Sequence, residues 1–226
     1  MKTLKIKIIG EANWYANFIN DSILIDSLED ADIVFFTGGE DVDPSLYGCK
    51  KHLSTYSNLD RDLEEKEIFE KIRPDQFVVS VCRGSQFTCV MNGGILAQDC
   101  SGHAINRTHG ITDGKTLYQI TSTHHQMQYP FVIPDDKYTI LFKAYKNLSG
   151  FYIGEKINSY EFLIHGEPEV VLYHHEDLPT CLAIQGHPEM MPDSPVSHYF
   201  NELIHNLVNE KNKIDKTIAL KYTNLK

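Results

Sequence analysis

The apolar run Phe77-Val78-Val79-Ser80-Val81 passes without a break into Cys82-Arg83-Gly84-Ser85-Gln86, and no other feature constrains the fold of this 226-residue chain more. Five consecutive residues of that kind form a strand buried on both faces, which requires helices above and below it. A strand that runs straight into a helix must turn sharply, and the side chain at the turn is pushed out of the sheet. The following helix then points its first amides and the positive end of its dipole at that side chain, favouring a thiolate. Cys82 therefore reads as a nucleophile, although a thiol at the end of a strand is often only a small core residue.

Two further segments favour the chemical reading. Leu182-Ala183-Ile184-Gln185-Gly186-His187-Pro188-Glu189 is another short apolar strand that ends in Gly and then presents an imidazole and a carboxylate. In extended chain, residues two apart share a side. His187 could then serve the nucleophile as base while Glu189 fixes its tautomer. Ile33-Val34-Phe35-Phe36-Thr37-Gly38-Gly39 is a strand ending in paired glycines, which let a backbone amide face a ligand.

Together these segments resemble the class I glutamine amidotransferases, and most closely their γ-glutamyl hydrolase branch. The resemblance rests on five motifs in the family's order, spanning about residues 33 to 189. They are Thr37-Gly38-Gly39-Glu40-Asp41-Val42-Asp43-Pro44-Ser45-Leu46-Tyr47-Gly48, Arg61-Asp62-Leu63-Glu64-Glu65, Cys82 to Gln86, His124-His125-Gln126, and Gly186 to Glu189. The resemblance implies an α/β fold of three αβα layers, flavodoxin-like, with a mostly parallel central sheet and a small extra β region. It implies hydrolysis of a γ-glutamyl amide by Cys82, His187 and Glu189, with the backbone amides of Gly39 and Arg83 as oxyanion hole. It also implies that Gln86, His125 and Gln126 contact the glutamyl part of the substrate. The chain departs from the family at Ser80, where Gly is usual, in a short stretch from Glu11 to Asp32, and between His125 and Gly186.

Composition limits the alternatives. With 42% hydrophobic residues, the chain is expected to form one domain over 1–210, followed by a charged tail over 211–226. No apolar run approaches the ~18 residues of a membrane helix, and no signal peptide is evident, so the cytosol is the expected location. Five cysteines without a Cys-x-x-Cys pair fit free thiols in a reducing compartment. A formal charge of −10 disfavours nucleic acid as a partner. A zinc site at His124-His125 and His174-His175 competes with the glutamyl pocket for these residues; adjacent histidines lack the spacing that converges on one tetrahedral ion. No cofactor and no metal are therefore expected.

The pattern alternates strand and helix. Leu4 to Ile9, Ile33 to Phe36 and Phe77 to Val81 read as strands. A helix capped by Asp60 is expected to run to about Arg73, with Leu63, Ile68, Phe69 and Ile72 inward. A second helix spans Ser85 to about Met91, and Asn92-Gly93-Gly94 stops it. From Lys115 to Tyr173 the reading is β-rich, with candidate strands Thr116 to Ser122, Tyr138 to Ala144, Tyr160 to Ile164 and Val170 to Tyr173. The last helix opens with Ser194 as cap and Pro195 at its first position.

Three functions fit. The chain could be a glutaminase that takes glutamine and feeds ammonia to a separate synthetase or ligase, the reading this divergent sequence favours. No phosphate-binding loop is present, so that synthetase would be another polypeptide. It could be a free-standing hydrolase of a γ-glutamylated amine, or a binding protein without catalysis.

Overall fold

The computed structural model describes residues 3–12, 14–105 and 107–210. The expected tail, 211–226, lies outside the described residues. In chain order the strands are β1 (Leu4–Ile9), β2 (Ser22–Leu24), β3 (Ile33–Phe36), β4 (Phe77–Val81), β5 (Ile95–Ala97), β6 (Asp99–Cys100), β7 (Arg107–Thr112), β8 (Leu117–Ser122), β9 (Met127–Tyr129), β10 (Tyr138–Ala144), β11 (Tyr152–Ile153), β12 (Pro168–Tyr173) and β13 (Thr180–Ile184). The α-helices are α1 (Leu59–Phe69), α2 (Arg83–Met91), α3 (Ser159–His165) and α4 (Pro195–Glu210).

Nine strands form one sheet in the order β2-β1-β3-β4-β13-β12-β10-β7-β8. From β2 to β13 the neighbours are parallel, and from β13 to β8 they are antiparallel. The strands expected beside the sheet thus extend it, while β5 with β9 and β6 with β11 form the two small extra sheets. The α/β architecture with a mixed sheet and small extra β elements agrees with the sequence expectation.

Side-chain alternation divides the core. Ile33, Phe35, Val79, Val81, Leu182 and Ile184 pack toward Val196, Phe200, Leu203, Ile204 and Leu207 of α4. Val34, Phe36, Val78, Cys181 and Ala183 pack on the opposite face toward Phe69, Phe87 and Val90. Ser194 Oγ accepts the Ser197 amide at 3.2 Å, so α4 is capped as expected.

Three local expectations need correction. Tyr160 to Ile164 is helix, not strand: Asn158 Oδ1 accepts the Tyr160 amide at 3.2 Å, Gly166 ends the turn, and only Phe162 is buried. Helix α1 is capped by Asn58 rather than Asp60 and ends at Phe69. Its inner face is Asp62, Glu65 and Phe69, while Leu63 is exposed. Burying two carboxylates requires a cation, and Arg83 supplies it.

The register sets the site. Phe36 lies opposite Ser80, and Ser80 opposite Ala183, so β3, β4 and β13 end level with one another. Their carboxyl ends deliver the glycine turn, Cys82 and the His187 segment to one edge of the sheet, where open α/β folds hold their ligands.

Candidate active site

Cys82 sits between β4 and α2 with φ 54° and ψ −115°, a left-handed conformation rare for a side-chain-bearing residue. Its amide donates to Ile184 O at 2.8 Å, and its carbonyl receives the Ser85 and Gln86 amides. The strained elbow is thus held from both sides. Gly84 lets the helix approach, because a Cβ there would run into the Phe36 carbonyl. Ser80, in the usual Gly position, is fully buried with its hydroxyl 3.5 Å from Leu182 O.

His187 Nδ1 lies 2.6 Å from Glu189 Oε1, with both side chains buried. They do not meet along extended chain as expected: Pro188–Met190 is a 3-10 turn, and the turn folds the carboxylate back under the ring. A Cβ added at Gly38 would lie 3.5 Å from His187 Cε1 and 3.6 Å from Cys82 Cβ, so all three converge on one spot. Burial works against a charged ring at His187, but the Cys82 sulfur and Glu189 beside it raise its pKa to about 10.

Two contacts here had no signal in the sequence. Thr123 Oγ1 lies 2.9 Å from His187 Nε2. Tyr15 Oη accepts the Gly38 amide at 3.0 Å, and burial together with Glu189 keeps its proton on. The Gly39 amide donates to no acceptor among the described residues. With φ at 144°, Gly39 adopts a backbone that other residues rarely enter.

Beneath the elbow lies a buried ionic network. Arg83 pairs with Asp62 and Glu65, and Arg61 Nε is 2.8 Å from Glu65 Oε1. Arg61 Nη2 also donates to Gly38 O at 3.1 Å, and Asp62 Oδ2 accepts the Asp43 amide at 2.7 Å. The Arg61-Asp62-x-x-Glu65 motif therefore ties the glycine turn to the first residue of α2. The Arg83 side chain is spent on this network, leaving only its backbone to face the site.

The expected glutamyl contacts separate. Gln86 Nε2 donates to Gln126 O at 2.9 Å and Gln126 Nε2 to Thr55 Oγ1 at 3.3 Å, so these two form one wall. His125 instead bridges Asp41, at 3.1 Å, and Asp99, at 3.3 Å. The rival zinc arrangement does not form: His124 turns inward while His125 faces these carboxylates, and His174 Nε2 is engaged with Thr139 Oγ1 at 3.1 Å. A cavity of about 500 Å³ lies alongside, lined by Glu40, Lys51, Thr55, Tyr56, Ser57 and Asn58. Neither Cys82 nor His187 lines it. It adjoins the site through Glu40, next to Gly39, and Thr55, bonded to Gln126.

Comparison with known proteins bears on this arrangement. Residues 16–147 match the profile of the family described as Peptidase C26, a span that includes Cys82 and stops short of His187. Protein NtpR of Enterococcus hirae is 35% identical over 74 residues, 32% of this chain and 31% of that protein, so the match spans about a third of that relative. Crystal structures that share the fold include the following two. One, from Thermoplasma acidophilum and provisionally named as a component of GMP synthase, has TM-score 0.60 and 13% identity over 96% of this chain and 99% of that one. The other, a glutamine amidotransferase from Thermotoga maritima, has TM-score 0.51 and 14% identity over 98% and 90%.

Proposed function

This chain belongs to the Peptidase C26 family, and from that premise we propose that it hydrolyses a γ-glutamyl amide through a glutamyl thioester on Cys82. The observation that carries the reading is the strained Cys82 elbow beside the buried His187–Glu189 pair. Cys82 Sγ attacks the side-chain carbonyl carbon as His187 accepts the thiol proton. The oxyanion is met by the amides of Gly39 and Arg83, each worth ~3 kcal/mol in such sites. Collapse breaks the C–N bond, and His187 gives its proton to the departing nitrogen. Water, deprotonated by His187, then cleaves the thioester to glutamate and restores the thiol. Glu189 holds the ring through both steps, and the Gln86–Gln126 wall is the candidate glutamyl subsite.

Two readings of the nitrogen product draw support from different observations. The cavity beside Gly39 gives a leaving group larger than ammonia a place to lie, and Glu40 and Asp60 outnumber Lys51 on its wall, which suits a cationic amine. That supports a free-standing γ-glutamyl hydrolase. The exposed apolar side chains Tyr160, Leu163 and Ile164 of α3 support the ammonia-donor reading, since a separate synthetase could cover them. Five unpaired thiols suit a reducing compartment in either case. Glutamate release by the purified chain, from glutamine and from a panel of γ-glutamyl amines, tests both. Full activity on an amine derivative alone favours the hydrolase; slow glutamine hydrolysis, with every amine derivative refused, favours the ammonia donor. No release from any γ-glutamyl compound refutes the proposal.

A further inference from the structure

A second constellation lies behind the segment that carries Thr123. His103, His109 on β7, His124 after β8 and Glu169 on β12 are all buried and face one another. Their fixed partners determine where the protons sit. His103 Nε2 is 3.1 Å from Glu167 Oε2, and Glu167 also accepts the Leu148 and Ser149 amides and the Tyr152 hydroxyl. His124 Nδ1 is 2.8 Å from Gln126 O, and His109 Nδ1 is 3.3 Å from Gly110 O. Carboxylates and carbonyls only accept, so each of these ring nitrogens carries its hydrogen and donates it.

In each neutral ring the other nitrogen is then a bare lone pair. Among the described residues, His103 Nδ1, His109 Nε2 and His124 Nε2 have no hydrogen-bond partner, and neither has either oxygen of Glu169. Glu169 Oε1 nevertheless lies 3.5 Å from His103 Nδ1 and 3.3 Å from His109 Nε2, the separation of a hydrogen bond without its direction. Ligand atoms of His103, His124 and Glu169 lie within 4.8 Å of one another. Acceptors facing acceptors in a dry interior are unfavourable unless something positive stands between them. A proton bridges only one pair, whereas a cation satisfies all of the acceptors.

We propose that His103, His124 and Glu169 form a buried site for a divalent transition metal, zinc by its ligand chemistry, with His109 drawn in as the fourth ligand. Three imidazoles and a carboxylate suit tetrahedral zinc, whose ~2.1 Å bonds set ligand atoms about 3.4 Å apart. The two edges at Glu169 already match that spacing, His124 lies within 4.8 Å of His103 and Glu169, and His109, outside that group, moves inward as the ion binds. The partners opposite the lone pairs, Glu167 and two backbone carbonyls, are the outer acceptors that orient metal-binding histidines. Glu167 and Glu169 together balance the charge of a dication. With four protein ligands the site is closed and structural. It braces the turn between β8 and β9, from which Thr123 meets His187 and Gln126 O meets Gln86. The ligands come from separate elements, so no local spacing announces them.

The test uses the untagged full chain expressed with zinc and purified without chelator. Elemental analysis should find about one zinc per chain. Refolding with Co²⁺ should give the visible bands of a four-coordinate ion, and refolding in chelator should lower the melting temperature. His124→Ala and Glu169→Gln should lose stoichiometric zinc, Glu167→Gln should weaken it ~10–100-fold, and the exposed His198→Ala should keep it. If the ligand variants do not fold, the unmodified chain decides by metal content and cobalt spectrum. The proposal is overturned by a chain without zinc whose melting temperature ignores both zinc and chelator. Zinc retained by His124→Ala and Glu169→Gln alike also overturns it.

Discussion

Replacing Glu189 by Gln separates the electrostatic role of that carboxylate from its shape. Glu189 Oε1 and His187 Nδ1 are 2.6 Å apart, and the two residues are 6% and 5% exposed, so solvent screens the pair weakly. Burial opposes the charged ring, yet Cys82 and Glu189 raise His187 from 6.5 to about 10. Because the folded value is the higher one, the resulting stabilisation is fully present below pH 6.5 and is lost as pH rises through about 10. At ~1.4 kcal/mol per pH unit, the interval corresponds to at most about 5 kcal/mol, shared between the two partners. Gln keeps the shape and removes the charge, so stability should fall less steeply across this interval in Glu189→Gln than in the unmodified protein. The amide can also present its NH₂ to Nδ1 and select the wrong tautomer, which predicts glutamate release lowered by ~10²- to 10⁴-fold. Urea unfolding of both proteins between about pH 6 and pH 10 supplies the slopes. Equal slopes would refute the electrostatic argument, and full activity in the variant would refute the assigned role.

Asp62→Ala leaves Arg83 buried with one carboxylate instead of two, which should cost ~3–5 kcal/mol and lower the melting temperature by roughly 6–20 °C; an unchanged calorimetric transition contradicts this. Thr123→Val removes the hydroxyl 2.9 Å from His187 Nε2 while keeping the side chain's shape, so glutamate release should fall by about tenfold, the worth of one good hydrogen bond. Loss of fold rather than rate would assign Thr123 to structure. Gly84→Ala drives a methyl into the Phe36 carbonyl and should destabilise by ~1–3 kcal/mol, read by denaturant midpoint; wild-type stability would remove the close-approach argument.

The parts of the site that the sequence announced are those built from contiguous residues. A doubly buried strand followed by Cys-Arg-Gly-Ser-Gln has one economical geometry, and Cys82 adopts it. His187 and Glu189 meet although their connection is not the expected extended one, because a 3-10 turn also brings residues two apart together. What stayed hidden depends on contacts between distant segments. Thr123 reaches His187 across 64 positions, and Tyr15 reaches Gly38 across 23. Helix α1 shows the same limit: its apolar residues alone nominate Leu63 for the interior, yet Arg83 on another helix draws in Asp62 and Glu65 instead. In α3, Tyr-Glu-Phe-Leu-Ile has strand-like composition, and the decisive residues are its flanks, Asn158 and Gly166.

The proposed turnover passes through an acyl bond to the sulfur of Cys82. Acid quenching of the chain during turnover of a γ-glutamyl substrate, followed by peptide mass spectrometry, should find one glutamyl group on the peptide containing Cys82. Cys82→Ser should lose both that adduct and glutamate release while keeping its melting transition. Glutamate release by Cys82→Ser at the unmodified rate, or an adduct on another of the five thiols, would contradict the account.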